Sequence, residues 1–213
     1  MDNAGLSLNG VTIRHGARTL VEITDHVAPG EVLTVMGPSG SGKSTLLSYV
    51  IGTLDAGFDA KGRVVLNGTD ITDLPPEHRK VGILFQDELL FPHLSVGENL
   101  AFGLRASVRG RAERAAKIEA ALGNIGLSGF ADRDPDTLSG GQKARVALMR
   151  MLLSGPRALL LDEPFSRLDT ARRDQVRQLV FDQAKASGLP VLLVTHDHAD
   201  AEAAGGRIHH LDG

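Results

Sequence analysis

The chain opens in a two-residue rhythm. From Leu6 to Ile13 polar and apolar residues alternate, which predicts a half-exposed strand. His15-Gly16 reads as a turn, and Thr19 to Val27 as the returning strand. The rhythm then changes. Glu31 to Met36 is largely apolar, the pattern of a strand covered on both faces, and it runs straight into a glycine-rich loop. Lys43 to Ile51 has helical spacing, Arg63 to Leu66 is a short strand closed by the turn pair Asn67-Gly68, and Val81 to Phe85 is a further buried strand. From about Glu88 to Pro156 helix dominates. Arg111 to Leu122 sets charges on one face against Ala, Ile and Leu on the other, and Gln142 to Leu153 is a second clear helix. Strand Ala158 to Leu161, helix Thr170 to Ser187, strand Pro190 to Thr195 and a short helix from His198 follow. Strands alternating with helices predict an α/β fold around a parallel sheet, interrupted by a helical insertion.

Composition narrows the function more than the fold. The 213 residues suffice for one α/β domain with a sizeable core. Hydrophobic residues at 42% and charged residues at 23% are ordinary for a globular protein. A net charge of -3 gives no basic footprint for nucleic acid. With no cysteine, disulfides, thiolate zinc sites and iron–sulfur clusters are excluded. Met1 to Gly10 has neither the basic nor the apolar region of a signal peptide, and no apolar run reaches the length of a membrane span. Any link to a membrane is therefore expected to run through partner proteins.

Three stretches carry chemistry. Gly37-Pro38-Ser39-Gly40-Ser41-Gly42-Lys43-Ser44 fits G-x-x-x-x-G-K-[ST] between a buried strand and a helix, with Thr45 just inside the helix. Glycines let the backbone curl so that successive N–H groups point at phosphate oxygens, and the helix start adds its positive dipole end. Lys43 is expected to reach the β and γ phosphates, and the Ser44 hydroxyl to ligate Mg²⁺. Asp162 and Glu163 stand at the end of the strand Ala158 to Leu161, where ligands sit in open α/β sheets. Asp162 would hold the metal, and Glu163 would face the attacking water as general base. Leu138-Ser139-Gly140-Gly141-Gln142 precedes a helix. As a bare pattern it is an N-cap with a flexible approach, and free N–H groups at a helix start again make an anion site.

The last stretch matches the signature of the ABC ATPases in every residue and lies a short interval before the Asp162-Glu163 strand end, as in that family. The chain resembles an ATP-binding subunit of an ABC transporter over nearly its whole length, and Phe91-Pro92-His93-Leu94-Ser95-Val96 resembles bacterial import ATPases more than exporters. The resemblance implies a P-loop ATPase core with an N-terminal antiparallel β subdomain, over a single domain 1–213. Residues 1–87 and 157–213 would form the core and 88–156 the helical subdomain. It implies that Gln86 is a Mg²⁺ ligand and sensor, and that Ser166-Arg167-Leu168-Asp169 is a loop crossing a dimer interface. The family more often has Ala where this chain has Arg167. It implies that His196 contacts the γ-phosphate. The family commonly stacks an aromatic residue on adenine; the matching position is His15, equally readable as a plain turn residue. Many importer ATPases continue into a regulatory domain, and none is expected after Gly213.

The resemblance also implies the partners. ATP is sandwiched between the phosphate loop of one copy and the signature of a second, so a homodimer is expected, with ATP and Mg²⁺ bound. Membrane permease subunits and a substrate-binding protein complete the complex, at the cytoplasmic face of the inner membrane. Asp87 to Ser95, with Leu89, Leu90, Phe91, Pro92 and Leu94, is unusually apolar. It is either part of the groove that receives a permease helix or packed inside the helical subdomain. A soluble ABC ATPase acting on DNA or ribosomes is the competing class. The short interval from Gln86 to Leu138 and the single ATPase unit argue against it.

Overall fold

The computed structural model describes residues 4–168 and 170–211. They form two compact units. The first holds the chain up to Ile83, Arg157–Glu163 and the chain from Phe181; the second holds Leu84–Pro156 and Pro164–Val180.

The first unit carries both sheets. Strands β1 (Leu6–His15) and β2 (Arg18–Val27) form the hairpin that the alternation predicts, with His15 opposite Arg18 at its end. Strand β4 (Asp59–Leu66) pairs antiparallel with β1 on its other side, and β5 (Thr69–Asp70) closes a four-stranded sheet of order β2-β1-β4-β5. β4 begins earlier than its apolar residues suggest. Asp59 to Lys61 have no hydrophobic pattern and are held by backbone pairing to Ile13, Arg14 and Thr12. Gly62 permits the close approach: at φ 97, a Cβ there would lie 2.4 Å from the Gly10 carbonyl oxygen.

The second sheet has the order β6-β7-β8-β3-β9, with β3 (Val32–Met36), β6 (Val81–Leu84), β7 (Ala158–Asp162), β8 (Val191–Thr195) and β9 (Arg207–His210). β3 runs parallel to β8 and β9, and β7 parallel to β8. The apolar runs of β3, β7 and β8 follow from burial on both faces, whereas β9, at the sheet edge, is mostly exposed. Helix α1 (Lys43–Ile51) inserts Leu46, Leu47 and Val50 into a core that also takes Leu6, Leu8 and Ile13 of β1 and Leu160, Leu192 and Val194 of the parallel strands. Helix α2 (Pro76–Arg79) is one turn long, and its Arg79 side chain donates to the carbonyls of Tyr49 and Val50 at 2.8 and 3.0 Å, closing the end of α1.

The second unit is helical. It contains α3 (Val96–Gly103), α4 (Arg111–Asn124) and α5 (Gly140–Leu153) around Val96, Leu100, Leu122, Leu138, Val146 and Met149. Helix α3 is absent from the periodicity reading, yet its start is written in Ser95 and Glu98, which form a reciprocal capping box. Helix α6 (Thr170–Ala186) links the second unit back to the first, and α7 (His198–Ala204) follows β8. Among the described residues, no helix is long and apolar enough to cross a membrane.

Candidate functional site

The loop 37–42 turns the chain from β3 into α1. Its last residue, Gly42, is the N-cap of α1 at φ 97 and offers no side chain to the first-turn amides. Those N–H groups are therefore left for an anion. A side chain at Gly42 would place its Cβ 3.0 Å from Val21 Cγ2 and 3.1 Å from Leu20 Cβ, so strand β2 presses the loop into this shape. Lys43 is almost fully buried, and its Nζ donates to the carbonyls of Gly37 at 2.7 Å and Pro38 at 2.9 Å. The loop's own backbone thus holds the ammonium in place. An ammonium has three protons, so a third hydrogen bond can be made to a ligand.

At the end of β7 the two carboxylates separate. Asp162 Oδ1 accepts a hydrogen bond from Ser44 Oγ at 3.1 Å, which joins the phosphate-loop helix to the neighbouring strand end. Burial pushes the Asp162 carboxyl above its usual range, against the Ser44 hydrogen bond that lowers it. The charge of Glu163 adds to the rise and that of Lys43 opposes it. A hydroxyl and a carboxylate side by side are hard oxygen donors, and a burdened negative charge gains from a cation. Both features fit Mg²⁺, which typically takes one or two protein ligands and completes its shell with water and phosphate. Glu163 has left-handed backbone at φ 45, a conformation uncommon outside glycine and asparagine. Its N–H donates to the Val194 carbonyl at 3.0 Å, continuing the β7–β8 ladder past Asp162. Glu163 Oε1 lies 3.0 Å from Nδ1 of His196, the residue just past β8.

Lys43, Ser44 and Glu163 share one cavity of about 420 Å³, within the size range of small-ligand sites, and Asp162 and His196 reach it through their contacts with Ser44 and Glu163. Ser39, Gly40, Lys43, Ser44, Thr45 and Glu163 line one part of it, and His15, Arg18, Leu20 and Phe58 another.

The remaining candidates lie in the second unit. Gln86 follows β6 and is exposed. Leu138 is buried in the helical core. Ser139 is the N-cap of α5: its Oγ accepts from the Gln142 N–H at 3.4 Å, and its own N–H donates to Gln142 Oε1 at 2.9 Å. The pattern is thus a capping box. Gly140 stands exposed at the helix start, and a Cβ there would meet only Leu168 Cδ2 at 3.8 Å. Arg167 forms an ion pair with Asp87, the residue after Gln86, and the Ser166 carbonyl accepts from Arg173 at 3.3 Å. Asp169 lies outside the described residues.

Residues 20–166, which run from β2 through the phosphate loop and the capped Ser-Gly-Gly helix start to the strand-end carboxylates, match the sequence profile described as ABC transporter. The chain belongs to the ABC transporter family. It is an ATP-binding ATPase of that family. It is 52% identical over 187 residues to an uncharacterised ABC transporter ATP-binding protein of Escherichia coli, a match covering 88% of this chain and 86% of the relative. It is 42% identical over 208 residues to a thiamine import ATP-binding protein of Jannaschia, covering 97% and 89%. An Fe(3+) ions import ATP-binding protein of Streptomyces avermitilis is 43% identical over 206 residues, 95% of this chain and 58% of that protein.

In this ABC ATPase the segment 87–95 is part packed and part exposed. Leu90 packs against the helical core, whereas Leu89 is 57% exposed with φ 46. The segment is held from below. Buried Asn99 accepts from the Phe91 N–H at 2.8 Å and donates to the carbonyls of Phe91 and Leu94, both at 3.1 Å. Arg150, on the signature helix α5, donates to the carbonyls of Leu89 at 2.9 Å and Glu88 at 3.2 Å, with its guanidinium 5.1 Å from the Phe91 ring centroid. Desolvation lowers the Arg150 pKa. Phe91 meets Phe102 edge-on at 4.8 Å, and Phe102 is 71% exposed. Sequence reasoning missed Asn99, Arg150, Phe102 and Phe58. Asn99 and Arg150 look like surface residues of amphipathic helices, and Phe58 sits in a stretch with no periodicity. Only Ser95 and Glu98 signalled that a helix begins near Asn99.

Proposed function

We propose that this ATPase powers import through a membrane permease, working as a homodimer with Mg-ATP. The observation that carries the reading is the convergence of Lys43, Ser44, Asp162, Glu163 and His196 in one unit, with the phosphate loop facing the strand-end carboxylates. Lys43 and the first-turn amides of α1 bind the β and γ phosphates. Ser44 and Asp162 would supply oxygen ligands for Mg²⁺. When bound, the metal neutralises phosphate charge. Glu163 takes a proton from water as the water oxygen bonds to the γ-phosphorus and the bond to the ADP oxygen breaks. His196 orients the Glu163 carboxylate through the contact at 3.0 Å and reaches toward the γ-phosphate.

The capped start of α5, with exposed Gly140, presents amides and a helix dipole to the ATP of a second copy. Ser166, Arg167 and Leu168 would face the same second copy. The exposed pair Leu89 and Phe102 receives an apolar helix of the permease, which sets the subunit on the cytoplasmic face of the membrane. A substrate-binding protein on the far side would complete an importer, in keeping with the import proteins among the relatives. The test is Lys43→Ala in the purified subunit. Phosphate release from Mg-ATP is expected to disappear while the melting temperature stays near wild type. Turnover close to wild type would overturn the assignment of this cavity.

A further inference from the structure

We propose that Phe58, with His15 beside it, is the platform that holds the base of the bound nucleotide, so that Phe58 sets nucleotide selectivity. The proposal rests on the reading of this cavity as the nucleotide site. Lys43 and Ser44 mark its phosphate part, and His15, Arg18, Leu20 and Phe58 line the remainder. The rings of His15 and Phe58 stand 5.1 Å apart between centroids, tilted by 43°. They come from two different segments. His15 ends β1, whereas Phe58 precedes β4, and the pairing of Arg14 with Asp59 brings the two side by side.

The two rings differ in what holds them. His15 is exposed, at the tip of a hairpin. Phe58 is half-buried and packs against the core of the first unit. Its N–H donates to the Asp55 carbonyl at 3.1 Å, and the Gly57 N–H donates to Asp55 Oδ1 at 2.8 Å, so the turn that presents the ring is tied down. A ring already fixed costs little entropy on binding, and phenyl offers a larger π face than imidazole. A base lying on Phe58 is recognised by stacking area, without a code of edge hydrogen bonds. Purines are therefore held better than pyrimidines.

The experiment is titration calorimetry of the full chain with Mg-ADP, Mg-CDP and Mg-pyrophosphate, none of which it can turn over as a triphosphate. Three variants are compared: Phe58→Ala, Phe58→Leu, which keeps apolar packing without a π face, and Phe58→Tyr. The Ala and Leu variants are expected to weaken ADP about 5- to 100-fold, the usual range for a lost base–aromatic stack, and to narrow the preference for ADP over CDP. Pyrophosphate binding is expected to stay within about twofold of wild type, since it has no base to stack, and Phe58→Tyr to restore ADP. ADP affinity unchanged in Phe58→Leu would overturn the proposal. So would an equal loss for ADP and pyrophosphate, which marks a structural role. Lys43→Ala separates the two levels. If it leaves pyrophosphate binding intact, the cavity is not the phosphate site and both readings fall. If it abolishes that binding while Phe58→Leu leaves ADP untouched, only the base platform falls.

Discussion

Replacing Glu163 by Gln exchanges one carboxylate oxygen for an amide and leaves nearly everything else in place. The left-handed backbone at φ 45 and the N–H bond to the Val194 carbonyl at 3.0 Å do not depend on the charge. The contact with His196 Nδ1 at 3.0 Å can be kept by the amide, and His196 is 61% exposed. A contact so open to solvent contributes at most about 1 kcal/mol, and the variant should melt within about 4 °C of wild type. Hydrolysis is another matter. Losing a general base slows a reaction by about 10²- to 10⁴-fold, equivalent to about 2.7 to 5.5 kcal/mol of barrier. Lys43, Ser44 and Asp162 are untouched, so ATP should still bind. A slowed ATPase should then accumulate the closed dimer, because ATP binds that form better. The assay pairs phosphate release with size-exclusion chromatography. Glu163→Gln is expected to elute as a monomer without nucleotide and as a dimer with Mg-ATP, whereas wild type holds the dimer only briefly. Turnover within about tenfold of wild type, at an unchanged melting temperature, would refute the role of Glu163 as base and point to another group activating the water.

Other consequences are as direct. Ser139→Arg removes the cap of α5, which costs about 1 kcal/mol, and places a cation where a second copy's ATP should lie. Hydrolysis is expected to collapse while nucleotide binding by the monomer, followed by calorimetry, persists; loss of both would make the site intramolecular. Asn99→Ala strips partners from the Phe91 N–H and from the Phe91 and Leu94 carbonyls, and chemical denaturation should show a loss of about 2 to 5 kcal/mol. Leu89→Asp with Phe102→Asp alters exposed positions, so stability should change by no more than about 0.5 kcal/mol. Recovery of the subunit in membrane fractions with its permease should fall sharply, while basal phosphate release is kept; unchanged recovery would place the docking surface elsewhere.

The local wording of the chain settled a good deal. Strands β3, β7 and β8 could be read from uninterrupted apolar runs, because burial on both faces leaves no alternative pattern. The phosphate loop could be read because its glycines, lysine and serine are contiguous, and a loop of that kind is shaped by its own backbone. The Ser139 cap was legible for the same reason, since an N-cap and the helix start it serves are neighbours, while the return bond from Gln142 is a finding of the structure. What the chain could not disclose on its own is who meets whom at a distance. The order β6-β7-β8-β3-β9 places β3 beside β8 and β9, which brings Ser44 within 3.1 Å of Asp162 although 118 positions separate them. The contact of His15 with Phe58 depends on the register of β1 against β4, in a stretch whose residues carry no period at all. The strained backbone of Glu163 and of Leu89 likewise answers to partners elsewhere, the Val194 carbonyl in one case and the Arg150 guanidinium in the other. Periodicity reports which face of an element is covered. Only the paired strands and the packed helices decide which side chains share the covered space, because those contacts are made between segments whose separation in the chain leaves no trace in local sequence.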